Sequence, residues 1–121
     1  MIVAGFGCRR AAGPGSLQDA LAAANRHGLP LTALATLEDR EALLAPLATA
    51  LRLPLILLDP DLIDGVDTTT RSAPSLIAYR TGSVAEAAAL AAIGPNARLI
   101  VTRIVSPDRQ ATCAIAEGAP A

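Results

Sequence analysis

The chain alternates short, continuous runs of apolar residues with longer segments in which apolar residues recur every three or four positions. Continuous runs bounded by Gly, Pro or polar residues are typical of buried strands, and the spaced pattern is typical of helices that bury one face. Strands are predicted at Met1–Phe6, Leu31–Thr36, Pro54–Leu58, Arg98–Ile104 and Ala111–Ala116, with Ser75–Tyr79 as a short strand or extended segment.

Three helices are predicted between these strands. The first opens at Ser16 and ends at Gly28, since Gly is a common helix terminator. The second contains Pro46, which predicts a kink or a late start because proline lacks the backbone N–H. The third is very rich in alanine, opens at Ser83 and ends before Gly94.

The alternation of strands and helices predicts the fold class. A largely parallel sheet covered by helices on both faces is the usual arrangement for such a pattern. We therefore predict an α/β fold, a single three-layer α/β/α domain over residues 1–121 with a mostly parallel sheet. The last two strands are predicted to form an antiparallel hairpin at one edge, around a turn at Ser106–Gln110. The polar segment Asp59–Arg71 is predicted to be a long loop.

Composition narrows the possible partners. Hydrophobic residues make up 52% of the chain, which predicts a folded core, and aromatic residues only 2%, which argues against stacking on single-stranded nucleic acid. The net charge is −1 without a basic stripe, so neither duplex DNA nor a membrane surface is an expected partner. Two cysteines are too few for a disulfide scaffold, and no signal peptide or membrane span is predicted, which favours the cytoplasm.

The predicted helix starts share a hydroxyl residue followed three positions later by an acid. The pairs are Ser16 and Asp19, Thr36 and Asp39, and Ser83 and Glu86. Each pair alone is explained by helix capping. Together the three helix N-termini, with Arg9 and Arg10 after the first strand, predict an anion pocket at the carboxyl ends of the strands. Such a pocket suits carboxylate or phosphate groups.

The glycine-rich segment Gly5–Arg10 lacks the pattern of a nucleotide-binding loop. It begins like a dinucleotide fingerprint but has Arg10 where the third, small residue is needed, and the chain has no lysine for a Walker loop. Cys8 beside two arginines predicts a lowered thiol pKa, yet His27, the single histidine, lies at the far end of the first helix and cannot act as its base. No metal-ligand spacing occurs, so neither a metal nor a cofactor is predicted.

Four segments in order resemble the family formed by CobE and the C-terminal domain of CbiG. They are Gly5–Arg10, Ala33–Thr36, Ser83–Leu90 and Thr112–Ala116. The chain departs from the family in having Ala11 and Ala12 before Gly13, and Arg40 in a place where the family often has lysine. The resemblance implies a role in making the corrin ring, in which the bifunctional relative opens a lactone on a cobalt-precorrin and releases acetaldehyde.

The preferred interpretation is a cobalamin biosynthesis protein that binds or processes a precorrin or corrinoid, whose carboxylates would meet the predicted anion pocket. The predicted ligand-binding residues are Gly7, Cys8, Arg9, Arg10, Thr36, Ser83 and Glu86. Two alternatives stay open, namely a non-catalytic tetrapyrrole carrier or assembly module for another pathway enzyme, and an unrelated phosphate- or anion-binding hydrolase. The sequence identifies no catalytic residue and does not decide whether the protein is an enzyme.

Overall fold

The computed structural model of the chain describes residues 1–66, 68 and 83–118. Within these residues the strands are β1 (Ile2–Cys8), β2 (Ala33–Leu37), β3 (Leu55–Leu58), β4 (Arg98–Val105) and β5 (Ala111–Glu117). The helices of the same residues are α1 (Pro14–Ala24), α2 (Glu41–Leu51), α3 (Pro60–Ile63) and α4 (Val84–Ile93), with a 3-10 turn at Glu38–Arg40 before α2.

The strands form one five-stranded sheet in the order β3-β2-β1-β5-β4. Strands β1, β2 and β3 pair in parallel, and β5 is antiparallel to both of its neighbours, β1 and β4. Four of the strands therefore point the same way, and β5 alone is reversed. The predicted α/β class, with a mostly parallel sheet and an antiparallel C-terminal hairpin, is confirmed. The hairpin is joined to the rest of the sheet through β5, which leaves β4 at the edge.

Helices cover both faces of the sheet, as the three-layer prediction requires. Successive residues of a strand point to opposite faces, and β1 follows this rule. Ala4 and Phe6 belong to the apolar cluster formed with α1 and α2, whereas Val3 belongs to the cluster formed with α3 and α4. Both clusters are built from buried, mostly aliphatic side chains, and the sheet lies between them as the middle layer.

The largest changes from the predicted elements are at helix ends. Helix α1 begins at Pro14 rather than Ser16, because proline is favoured in the first helical turn, where its missing N–H costs nothing. Helix α2 begins at Glu41 and contains Pro46, so the predicted late start is wrong. The predicted loop after β3 opens instead with α3, whose N-cap Asp59 accepts a hydrogen bond from a backbone N–H at 2.9 Å. The predicted extended segment Ser75–Tyr79 lies outside the described residues.

The backbone of helix α4 lies directly against the backbone of strand β1. A Cβ atom added at Gly5 of β1 would lie 2.2 Å from the carbonyl oxygen of Ala85 and 2.5 Å from the backbone nitrogen of Ala89. The helix backbone therefore rests directly on the strand, and only glycine fits between them. This contact fixes the position of the α4 N-terminus relative to the carboxyl end of β1.

Candidate functional site

The carboxyl ends of β1, β2, β3 and β4 lie along one edge of the sheet, because these four strands point the same way. The N-termini of α1 and α4 and the β4–β5 turn lie along the same edge. In open α/β sheets, ligands bind outside this edge. We call this edge the carboxyl rim and define it by Gly7–Arg10, Gly13–Ser16, Leu37–Arg40 and Ser106–Gln110.

Arg9 and Arg10 follow β1 at the rim and are both exposed. Within the residues that the structure describes, their guanidinium groups make no ion pair or hydrogen bond. The backbone N–H of Arg9 donates to the carbonyl oxygen of Gln110 at 2.9 Å, which places the two arginines beside the β4–β5 turn. They are therefore exposed cations on the carboxyl rim.

Ser16 does not cap α1, so that prediction is wrong. Gly13 is the N-cap and no side chain caps this helix. The hydroxyl of Ser16 instead donates to the carboxylate of Asp108 in the β4–β5 turn, which lies 92 positions later in the chain. Ser106 donates to the other oxygen of the same carboxylate at 2.6 Å. A two-serine bridge to one carboxylate thus joins the start of α1 to the turn.

The carboxylate of Asp108 is held in its ionised form by these donors. Hydrogen bonds from Ser106, then from Ser16, and then from the backbone N–H of Gln110 lower the pKa of Asp108 below its ordinary value. A depressed carboxyl pKa contributes stability above the unfolded-state pKa and loses it as the pH falls through the folded-state pKa. The bridge is therefore intact at neutral pH and weakens in acid.

Thr36 is part of β2 and does not cap α2, so the second capping prediction is also wrong. Its side chain is fully buried, and its hydroxyl donates to the carbonyl oxygen of Phe6 at 3.1 Å. Helix α2 follows a 3-10 turn, and neither the turn nor the helix has a side-chain cap. Thr36 therefore ties β2 to β1 beneath the rim.

Arg40 is a rim residue that sequence reasoning did not include in the site. Its Nε donates to the carbonyl oxygen of Cys8 at 3.0 Å, its guanidinium pairs with Asp39 at 3.2 Å, and its side chain is 16% exposed. The available signal was its place after β2, where the resembling family often has a basic lysine. Arg40 fixes the end of β1 against the 3-10 turn.

The Cys8 thiol does not have the lowered pKa that the sequence predicted. Burial raises its pKa above the ordinary value, and the positive charge and hydrogen bond of Arg40 offset only part of that effect. The exposed arginines next to it in the chain are not among the causes. At neutral pH Cys8 is therefore a protonated, half-buried thiol rather than an activated nucleophile.

The third predicted cap is confirmed. Ser83 is the N-cap of α4, and its hydroxyl oxygen accepts from the backbone N–H of Glu86 at 3.2 Å. Both side chains are fully buried. One carboxylate oxygen of Glu86 accepts from the backbone N–H of Arg103 at 2.8 Å, within the stretch of β4 where the pairing register with β5 shifts. Glu86 therefore ties α4 to an irregular strand.

Gly7 lies where β1, β5 and α4 meet. A Cβ atom there would lie 2.9 Å from the hydroxyl of Thr112 and 3.3 Å from the Cβ of Val84. The Thr112 hydroxyl donates to the carbonyl oxygen of Gly7 at 3.2 Å. Close packing around this backbone thus explains the glycine.

The predicted site residues therefore fall into two layers. Cys8, Arg9 and Arg10 reach the rim, while Thr36, Ser83 and Glu86 are buried beneath it with hydrogen-bond partners in the protein. Among the described residues, no three His, Cys, Asp or Glu side chains are grouped to hold a metal ion. Nor does this part of the chain contain a helix long and apolar enough to cross a membrane.

Comparison with protein families matches nearly the whole chain. The family described as cobalamin synthesis G C-terminus matches residues 2–116. Among curated proteins, none matches the sequence.

Solved structures agree with the family match. CobE, a protein from the cobalamin (vitamin B12) biosynthetic pathway, is similar with a TM-score of 0.81 and 32% identity over 96% of this chain and 89% of that one. The cobalamin biosynthesis protein chiG from Agrobacterium tumefaciens gives a TM-score of 0.74 and 34% identity over 99% and 100%. A cobalamin biosynthesis protein G homolog from Sulfolobus solfataricus shares the fold, with a TM-score of 0.69 and 22% identity over 99% of this chain and 37% of that one.

Proposed function

The chain belongs to the cobalamin synthesis G C-terminal family and is a cobalamin biosynthesis protein, and from this premise we propose that it binds a precorrin or corrinoid intermediate at the carboxyl rim. The observation that carries the proposal is the pair of exposed, unpaired guanidinium groups of Arg9 and Arg10 among the described residues. Corrinoid intermediates carry acetate and propionate side chains, and arginine holds such carboxylates with two parallel hydrogen bonds.

The other predicted residues have distinct parts in this proposal. Gly7 and Cys8 form the floor of the site, because both are half-buried at the end of β1. Thr36, Ser83 and Glu86 support that floor from below, where they are fully buried. The N-terminus of α1 has no side-chain cap and adds a partial positive charge to the same rim.

Binding and orientation fit the described rim residues better than proton transfer does. Asp108 stays ionised because its pKa is lowered, and Cys8 stays protonated because its pKa is raised. A general acid or base works best with a pKa near the working pH, and neither group meets that condition. In the proposal Asp108 and Cys8 therefore position the site and do not transfer protons.

A partner also fits the size of the ligand. A corrinoid macrocycle is large, and pockets that enclose most of a ligand often form between domains. We propose that another cobalamin-pathway enzyme, or a second copy of this chain, covers the face of the ligand that the rim leaves open. We also propose a cytoplasmic location, in keeping with Cys8 and Cys113, which are both free thiols.

The test is an absorbance titration with two coloured corrinoids. Cobyrinic acid carries free carboxylates, and cobinamide carries amides in their place. The proposal expects salt-sensitive binding of cobyrinic acid and much weaker binding of cobinamide. Replacing Arg9→Ala and Arg10→Ala together should weaken cobyrinic acid binding by roughly a hundredfold or more, since each of the two lost charged hydrogen bonds contributes about 1.5–3 kcal/mol.

A matched double variant separates the site from net charge. Arg26 follows α1 and Arg98 begins β4, so both are exposed residues at the opposite edge of the sheet. Replacing both by alanine changes the net charge equally and removes one exposed ion pair with Glu117, which contributes little. Equal losses in the two double variants, or tight binding of cobinamide, would contradict the proposal. Binding of inorganic phosphate by a protein that binds neither corrinoid would support the anion-binding hydrolase instead.

A further inference from the structure

The β4–β5 turn contains an arginine in a backbone conformation that arginine rarely adopts. Arg109 has a φ of +61°, in the left-handed region where the side chain of an L-residue crowds its own backbone. Glycine, asparagine or aspartate usually fills such a turn position. The side chain of Arg109 is exposed, so packing of the side chain does not explain why an arginine is there.

The turn is held in this shape by contacts on both sides of Arg109. Its own N–H donates to the carbonyl oxygen of Ser106 at 2.8 Å, and the N–H of Ala111 donates to the Ser106 hydroxyl at 3.1 Å. Asp108, the preceding residue, is bound by the hydroxyls of Ser106 and Ser16. The turn is thus braced against α1, and Arg109 keeps a fixed backbone direction at the rim.

Arg109 stands next to the arginine pair already assigned to the site. The carbonyl oxygen of Gln110, the next residue, accepts the backbone N–H of Arg9 at 2.9 Å. The two backbone segments that carry the three arginines are therefore adjacent on the rim. Within the described residues none of their guanidinium groups has an ion-pair partner, and the nearby Asp108 carboxylate is occupied by the serine hydroxyls and the Gln110 N–H.

We propose that Arg109 is a third carboxylate-binding residue of the corrinoid site, contacting a carboxylate on the side of the ligand nearest the β4–β5 turn. The observation that distinguishes Arg109 is its place, since the next residue of its turn is hydrogen-bonded to Arg9 and the turn is held by Ser106 and Ser16. The inference rests on the proposed function and extends it from the end of β1 to the turn. The turn then limits which arrangement of ligand side chains the rim accepts.

The chain offers a matched control for this residue. Arg52 is also exposed and left-handed, with a φ of +57°, and it ends α2 at the opposite edge of the sheet. Replacing either arginine by glycine removes one positive charge and relieves the same kind of strain. Both Arg109→Gly and Arg52→Gly should leave the melting temperature unchanged or raise it by up to about 4 °C.

Titration with cobyrinic acid distinguishes the two variants. Arg109→Gly should weaken binding about three- to tenfold, the range between an exposed ion pair and a charge-assisted hydrogen bond. Arg52→Gly should bind like the wild type, and Arg109→Lys should recover part of the affinity because it restores the charge. Unchanged affinity in Arg109→Gly, alongside a loss in the Arg9 and Arg10 double variant, would overturn this inference and leave the proposed function standing. Absence of cobyrinic acid binding by the wild type would overturn both.

Discussion

The two faces of the sheet are packed by different means. Toward α1 and α2 the space is filled by large side chains, among them Phe6, Leu34 and Leu44, which are fully buried. Toward α4 the space is closed by bringing the helix backbone onto Gly5, with alanines on the helix. Side chains can adjust when one of them shrinks, whereas at the backbone contact on Gly5 no side chain can move.

This difference explains where the rigid part of the site lies. The contact at Gly5 fixes α4, and α4 carries Ser83 and Glu86 to the rim from below. Contacts of side chains and turns position the opposite side of the rim, where Ser16 reaches Asp108. The backbone contact between α4 and β1 is thus the fixed part of the site, and the exposed arginines follow directly after β1.

The sharpest way to break the comparison is Gly5→Ala. The new methyl group would meet backbone atoms of α4 at 2.2 and 2.5 Å, which cannot rotate away, so we expect a loss of about 4 kcal/mol or more, above the usual range for overpacking. Urea denaturation measures it. Gly15→Ala is the control, since no atom lies within 4 Å of a Cβ there, and it should be neutral or slightly stabilising. Similar stability of the two variants would contradict the backbone contact.

Removing volume from the other face should cost somewhat less. Leu44→Ala leaves a cavity among the fully buried side chains under α2, and we expect a loss of about 3 kcal/mol, because neighbouring side chains close only part of it. Urea denaturation measures the loss, and Leu57→Ala at an exposed position is the control. The difference between the two variants gives the effect of burial on the free energy of unfolding. A loss as small as that of Leu57→Ala would show that this face is loosely packed.

Glu86 tests whether the α4 face contributes chemistry as well as position. Glu86→Ala leaves the Arg103 N–H without the carboxylate that now accepts it, and should cost about 1–3 kcal/mol. Glu86→Gln keeps an acceptor and should retain most of the stability. If Glu86 only supports the floor of the site, the Gln variant binds cobyrinic acid normally. Lost binding with an unchanged melting temperature would instead assign the charge of Glu86 a direct role.

The smallest effect concerns the thiol at the rim. Burial raises the pKa of Cys8, so its alkylation by iodoacetamide at neutral pH should be slower than that of a peptide thiol and should increase only at higher pH. Arg40→Gln should shift this profile further up, because the Arg40 charge lowers the pKa. Measurement in a Cys113→Ala background removes the second thiol. A profile at or below that of a peptide thiol would contradict the burial of Cys8.

The same raised pKa has a consequence for stability. Because folding raises the pKa of Cys8, its contribution to the free energy of unfolding is fully present below the unfolded-state pKa. That contribution is lost as the pH rises through the folded-state pKa. Stability should therefore fall in alkaline solution, and less steeply in a Cys8→Ser variant. Asp108 acts at the other end of the pH scale, because its lowered pKa makes the loss occur in acid.

Elements set by local pattern could be predicted from the sequence. The strands are apolar runs bounded by breakers, and the hairpin is marked by Ser106–Gln110, so both were found in place. Ser83 was identified as a cap because capping is a local contact. Ser16 and Thr36 carry the same signature, but their hydroxyls bind Asp108 and Phe6, which come from other parts of the chain.

The remaining site features depend on tertiary contacts that leave no local signal. Arg40 was not identified because its role depends on a hydrogen bond to the carbonyl oxygen of Cys8, which ends β1 and is distant in the chain. The left-handed Arg109 was not identified because its turn contains no glycine to mark it. The close approach of α4 to β1 is indicated in the sequence only by the alanines of α4, because Gly5 also fits the pattern of a ligand-binding loop.

The pairing of β1 with β5 has a consequence for how the molecule forms. These strands pair along their whole length, from Ile2 with Glu117 to Cys8 with Ala111. The hydroxyl that bonds Gly7 comes from a residue 105 positions away. Bringing together residues so distant in the chain costs conformational entropy before the stabilising contacts form. Folds with many such distant contacts therefore form slowly. We therefore expect the pairing of β1 with β5, which places Arg9 beside the β4–β5 turn, to be a late step in folding.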